Sequence, residues 1–313
     1  MGDGPLQLFA GNSNRRLAQE IAETLGVRLG RALVGTFRNG EVRIRVEDNV
    51  RGADVFVLQS LCPPIHHHIW ELLLMLDALK RASARRITAV VPYYAYARQE
   101  RKTAGREPIS ARVLADVITA AGADRLLTMD LHAPAIEGFF DIPVDHLRAV
   151  KLLASYFSDL GLHDAVVVSP DVGGVARAND FRQRLGLPLA IIAKHRPTPD
   201  QVEVVEMVGE VSGRPVVLLD DMISTGGTMV EAARELRARG ATQVYACATH
   251  GLFAGDALEA LAEAPVERWV VTNTVPPPTG AELPTLQVIS VAPLLAESIH
   301  RIHENLSVSG LFD

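Results

Sequence analysis

The segment of residues 220–228, with the sequence Asp-Asp-Met-Ile-Ser-Thr-Gly-Gly-Thr, constrains the fold of this chain more than any other stretch. It follows the apolar run 216–219, which is typical of a buried parallel strand. It precedes residues 229–239, whose apolar side chains recur at helical spacing up to Gly240, a residue type that ends helices. Such strands and helices alternate along most of the chain, which predicts parallel sheets flanked by helices.

The residue types of this loop suit a sugar phosphate. Its amides can point inward at the start of the helix, its hydroxyls add donors, and its glycines allow a close approach of the backbone. The carboxylates of Asp220 and Asp221 can hold ribose hydroxyls, or a metal through them. An ordinary turn with a Ser or Thr cap is the alternative. Two acids followed by Ser-Thr-Gly-Gly-Thr are much rarer than such a cap, so we interpret the loop as a sugar-phosphate site.

The composition narrows the class of protein. With 313 residues the chain is long enough for two domains, and 48% hydrophobic with 22% charged residues is typical of a soluble globular protein. The formal net charge of −6 gives no electrostatic reason to expect nucleic acid as a partner. No apolar run reaches the roughly 18 residues that span a bilayer, and residues 1–5 do not resemble a signal peptide. Cys62 and Cys247 form no disulfide or zinc pattern, so we expect a cytoplasmic protein without a membrane partner.

A strand–helix–strand pattern occurs twice, roughly 160 residues apart. The first copy comprises residues 55–60, 69–80 and 87–91, and the second comprises 216–221, 229–239 and 243–248. Residues 59–64, Gln-Ser-Leu-Cys-Pro-Pro, take the place of the phosphate loop in the first copy. We hypothesise a duplicated fold that has kept one sugar-phosphate site and lost the other.

Residues 220–228 resemble the phosphoribosyl-binding signature of the type I phosphoribosyltransferase family, which contains enzymes that consume phosphoribosyl pyrophosphate and synthetases that make it. The resemblance implies an α/β fold of two similar phosphoribosyltransferase-like domains, each a mainly parallel sheet flanked by helices. We predict the N-terminal domain at 1–147 and the C-terminal domain, with the ribose 5-phosphate loop, at 148–299. The tail of about 300–313 is expected to pack back on the first domain.

Four further segments decide between these activities. They are 94–102 (Tyr-Ala-Tyr-Ala-Arg-Gln-Glu-Arg-Lys), 130–146 (beginning Asp-Leu-His-Ala), 169–174 (Ser-Pro-Asp-Val-Gly-Gly) and 194–197 (Lys-His-Arg-Pro). Together with the loop they make the chain similar to the ribose-phosphate pyrophosphokinase family, from Leu8 to Phe312. No G-x-x-x-x-G-K-[ST] sequence is present, so a Walker loop cannot hold ATP.

The resemblance implies roles for individual residues. Lys194 and Arg196 are the expected catalytic cations, on a mobile loop, because negative charge must be neutralised while a diphosphoryl group moves. Mg²⁺ is expected at His132 and Asp171. The residues expected to bind ATP are Phe37, Asn39, Gly40, Glu41, Arg98, Gln99 and His132. Those expected to bind ribose 5-phosphate are Arg196, Asp220, Asp221, Ser224, Thr225, Gly226, Gly227 and Thr228.

The implied reaction transfers the β,γ-diphosphoryl group of ATP to the anomeric hydroxyl of ribose 5-phosphate. Its products are 5-phosphoribosyl 1-pyrophosphate, for nucleotide biosynthesis, and AMP. In the family the segment that contains Phe37 comes from a neighbouring subunit, so the resemblance implies a homohexamer with shared active sites. One alternative is a non-catalytic regulatory relative, which would be free to lose Lys194 and Arg196. Another is a phosphoribosyltransferase, which would leave Phe37 and Arg98 unexplained.

A regulatory phosphate site is expected by resemblance at Arg51, Ser83, Arg106, Ser307 and Ser309. Asn49 stands where Ser is usual in the phosphate-activated class, and Ala135 and Glu137 stand where Gln is usual. We therefore expect an altered regulatory site.

Three other features have simpler interpretations. Residues 66–68 are three histidines, but adjacent histidines on one turn rarely converge on one ion, so we expect no physiological metal there. Cys247 is expected to be a small core residue. Trp70 and the neighbouring leucines are expected to form a core-facing side of a helix.

Replacement of Lys194 by Ala tests the expected catalytic cation. We expect turnover to fall by about a hundredfold or more with little change in substrate binding, because an electrostatic stabiliser acts mainly on the transition state. Steady-state kinetics of the purified variant measures both quantities, and near-normal turnover would refute the role of Lys194.

Overall fold

The computed structural model describes residues 4–195, 204–278 and 283–311. The chain forms two compact units, and each is described by itself. Unit 1 comprises the described residues within Met1–Arg148, Thr274–Pro276 and Ser290–Asp313. Unit 2 comprises those within Ala149–Asn273 and Pro277–Ile289.

The secondary structure alternates between strands and helices, as the sequence predicts. The elements of residues 1–148 are β1 (Leu6–Ala10), α1 (Arg15–Leu25), β2 (Ala32–Thr36), β3 (Val42–Val46), β4 (Asp54–Leu58), α2 (Ile65–Arg81), β5 (Arg86–Val91), α3 (Ser110–Ala121), β6 (Arg125–Met129) and β7 (Val144–Leu147). Those of residues 149–311 are α4 (Val150–Asp159), β8 (Val166–Ser169), α5 (Val175–Leu185), β9 (Leu189–His195), β10 (Val204–Val208), β11 (Pro215–Ile223), α6 (Gly227–Ala238), β12 (Gln243–Gly251), α7 (Ala257–Ala262), β13 (Arg268–Thr272), β14 (Leu286–Ile289) and α8 (Ala292–His303). None of the described helices is both long and apolar enough to cross a bilayer.

Unit 1 is built on a parallel sheet with the strand order β1-β4-β5-β6-β7. All five residues of β4 are buried, as its apolar run predicts for a central strand. Ala10, Leu58 and Val90 pair across three neighbouring strands, so the loops that follow β1, β4 and β5 begin at the same edge of the sheet. Strands β2 and β3 form a separate antiparallel hairpin.

Unit 2 is built on a seven-stranded sheet with the order β10-β9-β8-β11-β12-β13-β14. The β9–β10 pair is antiparallel and the other pairs are parallel. Trp269 is fully buried in the core beneath α6 and α7, and its indole N–H donates to the Leu261 carbonyl at 3.2 Å. Cys247 is also fully buried, which confirms the prediction of a core residue.

The parallel strands of the two units are connected in the same order. In unit 1 the first strand is followed by a helix and an antiparallel hairpin, and the chain then enters β4 beside β1. In unit 2 the same succession runs from β8 through α5, β9 and β10 to β11 beside β8. Both units thus have the predicted α/β architecture, and the shared order supports the hypothesis of a duplicated fold.

The boundaries of several elements differ from the sequence predictions. The first predicted helix, 69–80, begins earlier, at Ile65, directly after the Pro63–Pro64 turn. The predicted strand 216–219 continues to Ile223 because β12 pairs with it as far as Gly251. The predicted domain limits at 147 and 299 remain predictions. The compact units differ from them in grouping α8 with unit 1.

A buried ion pair attaches the C-terminal helix to unit 1. The Asp54 carboxylate is fully buried and receives two bonds from Arg86, Nε to Oδ1 at 2.8 Å and Nη2 to Oδ2 at 2.6 Å. Arg86 Nη2 also donates to the Ile302 carbonyl at 3.0 Å, and His303 Nδ1 lies 2.8 Å from Asp54 Oδ2. The amino ends of the parallel strands β4 and β5 are thereby joined to the end of α8.

Replacement of Arg86 by Ala is expected to lower the free energy of unfolding of unit 1 by about 3–5 kcal/mol, because it leaves the buried Asp54 carboxylate without its main partner. Denaturant unfolding at neutral pH measures the change. Arg81→Ala, which removes an exposed helical ion pair with Asp77, is the control and should have a much smaller effect. Equal effects of the two variants would show that the Asp54–Arg86 pair does not hold α8 in place.

Candidate functional site

The loop of residues 224–226 joins β11 to α6 at the carboxyl end of the unit 2 sheet. Gly226 has a φ of +79°, and a Cβ there would lie 3.2 Å from Leu261 Cδ2, so glycine is favoured by both backbone and space. Its carbonyl accepts from Val230 N at 2.9 Å and starts the helix. The first amides of α6 have no partner within the helix. A helix start of this kind is suited to an anion such as a 5-phosphate.

The two carboxylates before the loop lie in strand β11 itself. The Asp221 side chain is 3% exposed and that of Asp220 is 18% exposed. Arg177, on the first turn of α5, places its Nη1 3.4 Å from Asp220 Oδ1 and 3.5 Å from Asp221 Oδ1. One guanidinium therefore serves both carboxylates.

Arg177 was missed by the sequence reasoning. A basic residue in a helix usually lies on a solvated face, and nothing in its neighbours distinguishes it. The only signal is its spacing of three residues after Gly174, which places it on the helical turn that starts at the edge of the sheet. The contact with β11 depends on the pairing of β8 with β11, which the local sequence does not specify.

Burial gives Asp220 an unusual ionisation. Desolvation, followed by the charge of Asp221, raises the pKa of Asp220 from its ordinary value near 3.8 to about 7, and Arg177 opposes this rise. The pair therefore carries less negative charge near neutral pH than two exposed carboxylates would. The Asp220 carboxyl therefore changes its charge near neutral pH, and its ionised form is the better acceptor for hydroxyl donors.

The loop that contains Asp171 is ordered by its own hydrogen bonds. Ser169 Oγ donates to the Asp171 carbonyl at 2.7 Å, and Gly174 N donates to Asp171 Oδ1 at 2.9 Å. A Cβ at Gly174 would lie 2.8 Å from Ser169 Oγ, so glycine leaves room for the Ser169 hydroxyl in this turn. Because β8 pairs directly with β11, Asp171 and Asp220 lie at neighbouring strand ends of unit 2.

The carboxylates of unit 2 fit Mg²⁺ as a partner of phosphates. Within the described ranges no three His, Cys, Asp or Glu side chains cluster closely enough to hold a metal alone. Mg²⁺ does not need such a cluster, because it takes one or two carboxylates and completes its shell with phosphate oxygens and water. Asp171 is exposed at the strand end beside β11, which suits this mode of binding.

Of the two expected catalytic cations, Lys194 and Arg196, the structure describes only the backbone of Lys194. The backbone of Lys194 lies in β9, opposite Val205 of β10, while its side chain is outside the described residues. Arg196 also lies outside the described residues.

The residues expected to bind adenine lie on the β2–β3 hairpin of unit 1. Phe37 is 48% exposed, and Arg43 Cζ lies 5.3 Å from the centroid of its ring. Phe37 N donates to the Glu41 carbonyl at 2.7 Å, and Gly40 closes the turn with a φ of +95°. The turn thus presents an aromatic ring for stacking beside the polar side chains of Asn39 and Glu41.

A cavity of about 760 Å³ lies between this hairpin turn and α2. Its lining includes Trp70, which is 58% exposed, so the prediction that Trp70 belongs to the core is wrong. Leu72, Leu73 and Leu76, also on α2, are buried as predicted, whereas Leu74 is only partly buried and lines the cavity. The helical pattern identified most of the core face, but the side chains of Trp70 and Leu74 contact the cavity instead.

The other residues expected to bind ATP follow the carboxyl ends of unit 1 strands. Arg98 and Gln99 are exposed in the segment after β5, and Gln99 is fixed because its side-chain oxygen accepts from Ser110 Oγ at the start of α3. His132 is exposed in the loop after β6. These positions share one edge of the sheet, because β5 and β6 are parallel neighbours.

A histidine holds the loop that contains His132. Leu131 N donates to His146 Nε2 at 2.9 Å, so the proton of the neutral ring is on Nδ1 and is donated to Glu137 Oε1. The glutamate at position 137, one of the expected departures in the regulatory pattern, therefore has a structural partner in this chain.

Comparison with known proteins places this geometry in a family. Residues 6–122 match the model of the N-terminal domain of ribose phosphate pyrophosphokinase, and residues 194–313 match that of the phosphoribosyl synthetase-associated domain. A ribose-phosphate pyrophosphokinase of Caldanaerobacter subterraneus subsp. tengcongensis is 54% identical over 308 residues, 98% of each chain. The chain belongs to the ribose-phosphate pyrophosphokinase family. Another member, from Bacillus caldolyticus, is 51% identical over 98% of each chain.

A solved structure of the family agrees with the fold. The phosphoribosylpyrophosphate synthetase of Mycobacterium smegmatis matches with a TM-score of 0.92 and 46% identity, covering 96% of this chain and 99% of that one. The predicted family and fold class are therefore confirmed.

The residues that the resemblance predicts for a regulatory site form three groups in unit 1. Arg51 and Ser83 are neighbours at the amino ends of β4 and β5, where Gly52 N donates to the Ser83 carbonyl at 2.9 Å. Ser307 and Ser309 contact each other through their hydroxyls at 2.6 Å. Arg106 follows the opposite, carboxyl end of β5. One chain therefore does not bring Arg106 to Arg51 and Ser83.

Replacement of Asp220 by Asn tests the raised pKa of this carboxyl group and its expected role in sugar binding. Between about pH 4 and pH 7 folded Asp220 keeps a proton that the unfolded chain releases, so this group makes wild-type protein less stable as pH rises. We expect the stability of the variant relative to wild type to increase from pH 5 to pH 8, and its affinity for ribose 5-phosphate to fall by about tenfold or more.

Denaturant unfolding at the two pH values and calorimetric titration measure these effects. Asp164→Asn, which alters a carboxylate that is 82% exposed, is the control. A relative stability that does not change with pH would contradict the raised pKa of Asp220.

Proposed function

We propose that this protein is a ribose-phosphate diphosphokinase that makes 5-phosphoribosyl 1-pyrophosphate and AMP from ribose 5-phosphate and ATP. The observation that carries the proposal is the end of β11, where two carboxylates and a glycine-rich helix start fit one sugar phosphate. Similarity to proteins named ribose-phosphate pyrophosphokinase along 98% of the chain supports it.

Each group of the sugar phosphate has a proposed partner in unit 2. The 5-phosphate accepts from the amides and hydroxyls of residues 224–228, and the 2- and 3-hydroxyls donate to Asp220 and Asp221. Arg177 partly neutralises the negative charge of these mostly buried carboxylates. The anomeric hydroxyl is then free to react.

The nucleotide is proposed to bind through unit 1 residues. Phe37 stacks on the base, Asn39 and Glu41 bond its edge, and Arg98 contacts the phosphates with a planar fork of donors. The anomeric oxygen attacks the β-phosphorus, and the bond from that phosphorus to the oxygen that bridges it to the α-phosphorus breaks. AMP leaves with that oxygen, and the proton of the anomeric hydroxyl passes to water. Lys194 and Arg196 are proposed to stabilise the developing charge.

Mg²⁺ is the proposed cofactor, held by His132 and Asp171. When bound, it supplies Lewis-acid neutralisation of the phosphate oxygens. The exposed Asp171 at a strand end next to Asp220 supports the carboxylate part of this site.

We also propose the assembly and the location. A homohexamer with active sites shared between subunits follows from the family resemblance and agrees with the exposure of Phe37 at the turn of the β2–β3 hairpin. A cytoplasmic location agrees with two cysteines that are both buried and free.

An AMP-release assay with ATP, Mg²⁺ and ribose 5-phosphate tests the function. We expect AMP only when the sugar is present, because the acceptor hydroxyl belongs to the sugar. The same assay with added inorganic phosphate tests the altered regulatory site, and a flat response would remove that site. Absence of AMP from a folded, assembled sample would favour a non-catalytic relative, and consumption of a nucleobase would favour a phosphoribosyltransferase.

A further inference from the structure

Glu71, in the second turn of α2, is a fully buried carboxylate that the proposed chemistry does not use. Its Oε2 accepts from Asn12 N at 3.0 Å and from Gln59 Nε2 at 2.7 Å. Its Oε1 accepts from Asn12 Nδ2 at 2.6 Å and lies 3.2 Å from His67 Nε2. A charge without access to water is tolerated only where donors converge on it, and here three hydrogen bonds from Asn12 and Gln59 do so.

These donors lie at the position in unit 1 that corresponds to the sugar-phosphate site of unit 2. Asn12 follows β1 and Gln59 follows β4, as Asp171 follows β8 and residues 224–226 follow β11. Gln59 also accepts from Ser13 Oγ at 2.7 Å. A Cβ on Gly11 would lie 2.3 Å from Gln59 Oε1, so glycine is required for this approach. The strand ends that form the proposed sugar-phosphate site in unit 2 correspond to strand ends in unit 1 where the side chains of Asn12, Gln59 and Glu71 fill the space.

The same network reaches the β2–β3 hairpin. Asn12 Nδ2 donates to the Val34 carbonyl of β2 at 3.3 Å as well as to Glu71. The hairpin is a separate two-stranded sheet, so no ladder of the parallel sheet fixes its direction. It packs on α2 through β3, and the bond from Asn12 to Val34 joins the middle of β2 to the segment that follows β1. This bond therefore adds to the contacts that hold the hairpin in place.

We propose that Glu71 is a positioning residue, which holds Asn12 and through it the hairpin that presents Phe37, Asn39 and Glu41. The effect on nucleotide binding rests on the proposed function, because it assumes that these three residues contact ATP. The effect on the hairpin itself does not depend on that assumption.

Replacement of Glu71 by Gln tests both parts. The change keeps the shape but removes the charge and turns an amide group toward donors of Asn12 or Gln59. We expect the KM for ATP to rise about tenfold or more, because weaker hydrogen bonds between residue 71 and Asn12 hold the nucleotide-binding hairpin less well. The change in kcat should be small, because Glu71 does not take part in the chemical step. The KM for ribose 5-phosphate should stay unchanged, since its loop is in unit 2.

Amide hydrogen exchange followed by mass spectrometry provides a measurement that does not depend on activity. We expect peptides that cover residues 32–46 to exchange about tenfold faster in the variant, because local opening of the hairpin becomes easier. Peptides from β11 and α6 should exchange as in wild type. Asp77→Asn is the matched control, because Asp77 is an exposed carboxylate of the same helix, paired with Arg81.

Asn12→Ala separates the link from the buried charge. It removes the side-chain bonds to Val34 and to Glu71 Oε1, while the backbone amide of residue 12 and Gln59 still donate to Glu71 Oε2. The variant keeps the carboxylate, so it should raise hairpin exchange and the KM for ATP even if the Glu71 variant does not fold. Unchanged hairpin exchange in the folded Asn12 variant would overturn the proposal. Faster exchange with no sugar-dependent AMP release in wild type would sustain the positioning role while refuting the proposed function.

Discussion

Two carboxylates held by one arginine at the end of a buried strand are the interaction on which the proposed site depends. β11 is the central strand of unit 2, between β8 and β12, and it extends beyond the end of β8. The side facing β8 is therefore left without a strand partner at the level of Asp220, whose carboxylate is contacted by Arg177 from α5. This position allows the carboxylates to be mostly buried and still open to a ligand.

The burial of Asp220 and Asp221 makes their ionised forms less favourable and also prepares them to bind a ligand. Desolvation raises the pKa of Asp220 because the ionised form loses water, and Arg177 restores part of what is lost. Hydroxyl donors from a sugar would supply further bonds to the same carboxylates. A site of this kind is less stable when empty than when a matched ligand completes its hydrogen bonds, which favours selective binding.

The two units show how one strand order leads to two different results. At the end of β11 the chain turns through small residues, with glycine in a left-handed conformation, and the space in front of α6 is left for a ligand. At the end of β4 the side chain of Gln59 bends back to Ser13 and Glu71, so the corresponding space is filled. In unit 1 the filled strand ends contact the β2–β3 hairpin through Asn12, whereas in unit 2 the corresponding strand ends are left open for the proposed sugar phosphate.

The local pattern of the sequence was sufficient for most strands, for most of the core face of α2 and for the turn between β11 and α6, because these depend on residues close in the chain. It was insufficient where partners come from distant segments. Trp70 belongs to the same helical pattern as the core leucines, yet it lies against a hairpin that begins more than thirty residues earlier. Arg177, Glu71 and Arg86 look like ordinary charged helix or strand residues until strand pairing brings Asp220, Asn12 and Asp54 to them.

By itself, then, the sequence determined the fold class, the family and the chemical type of the loop, since periodicity and a rare run of residues are local properties. The tertiary structure decided which charges share a buried site and which strand ends are open. It also decided how the C-terminal helix is attached. These outcomes depend on the order of strands in each sheet, which places residues far apart in the chain within hydrogen-bonding distance.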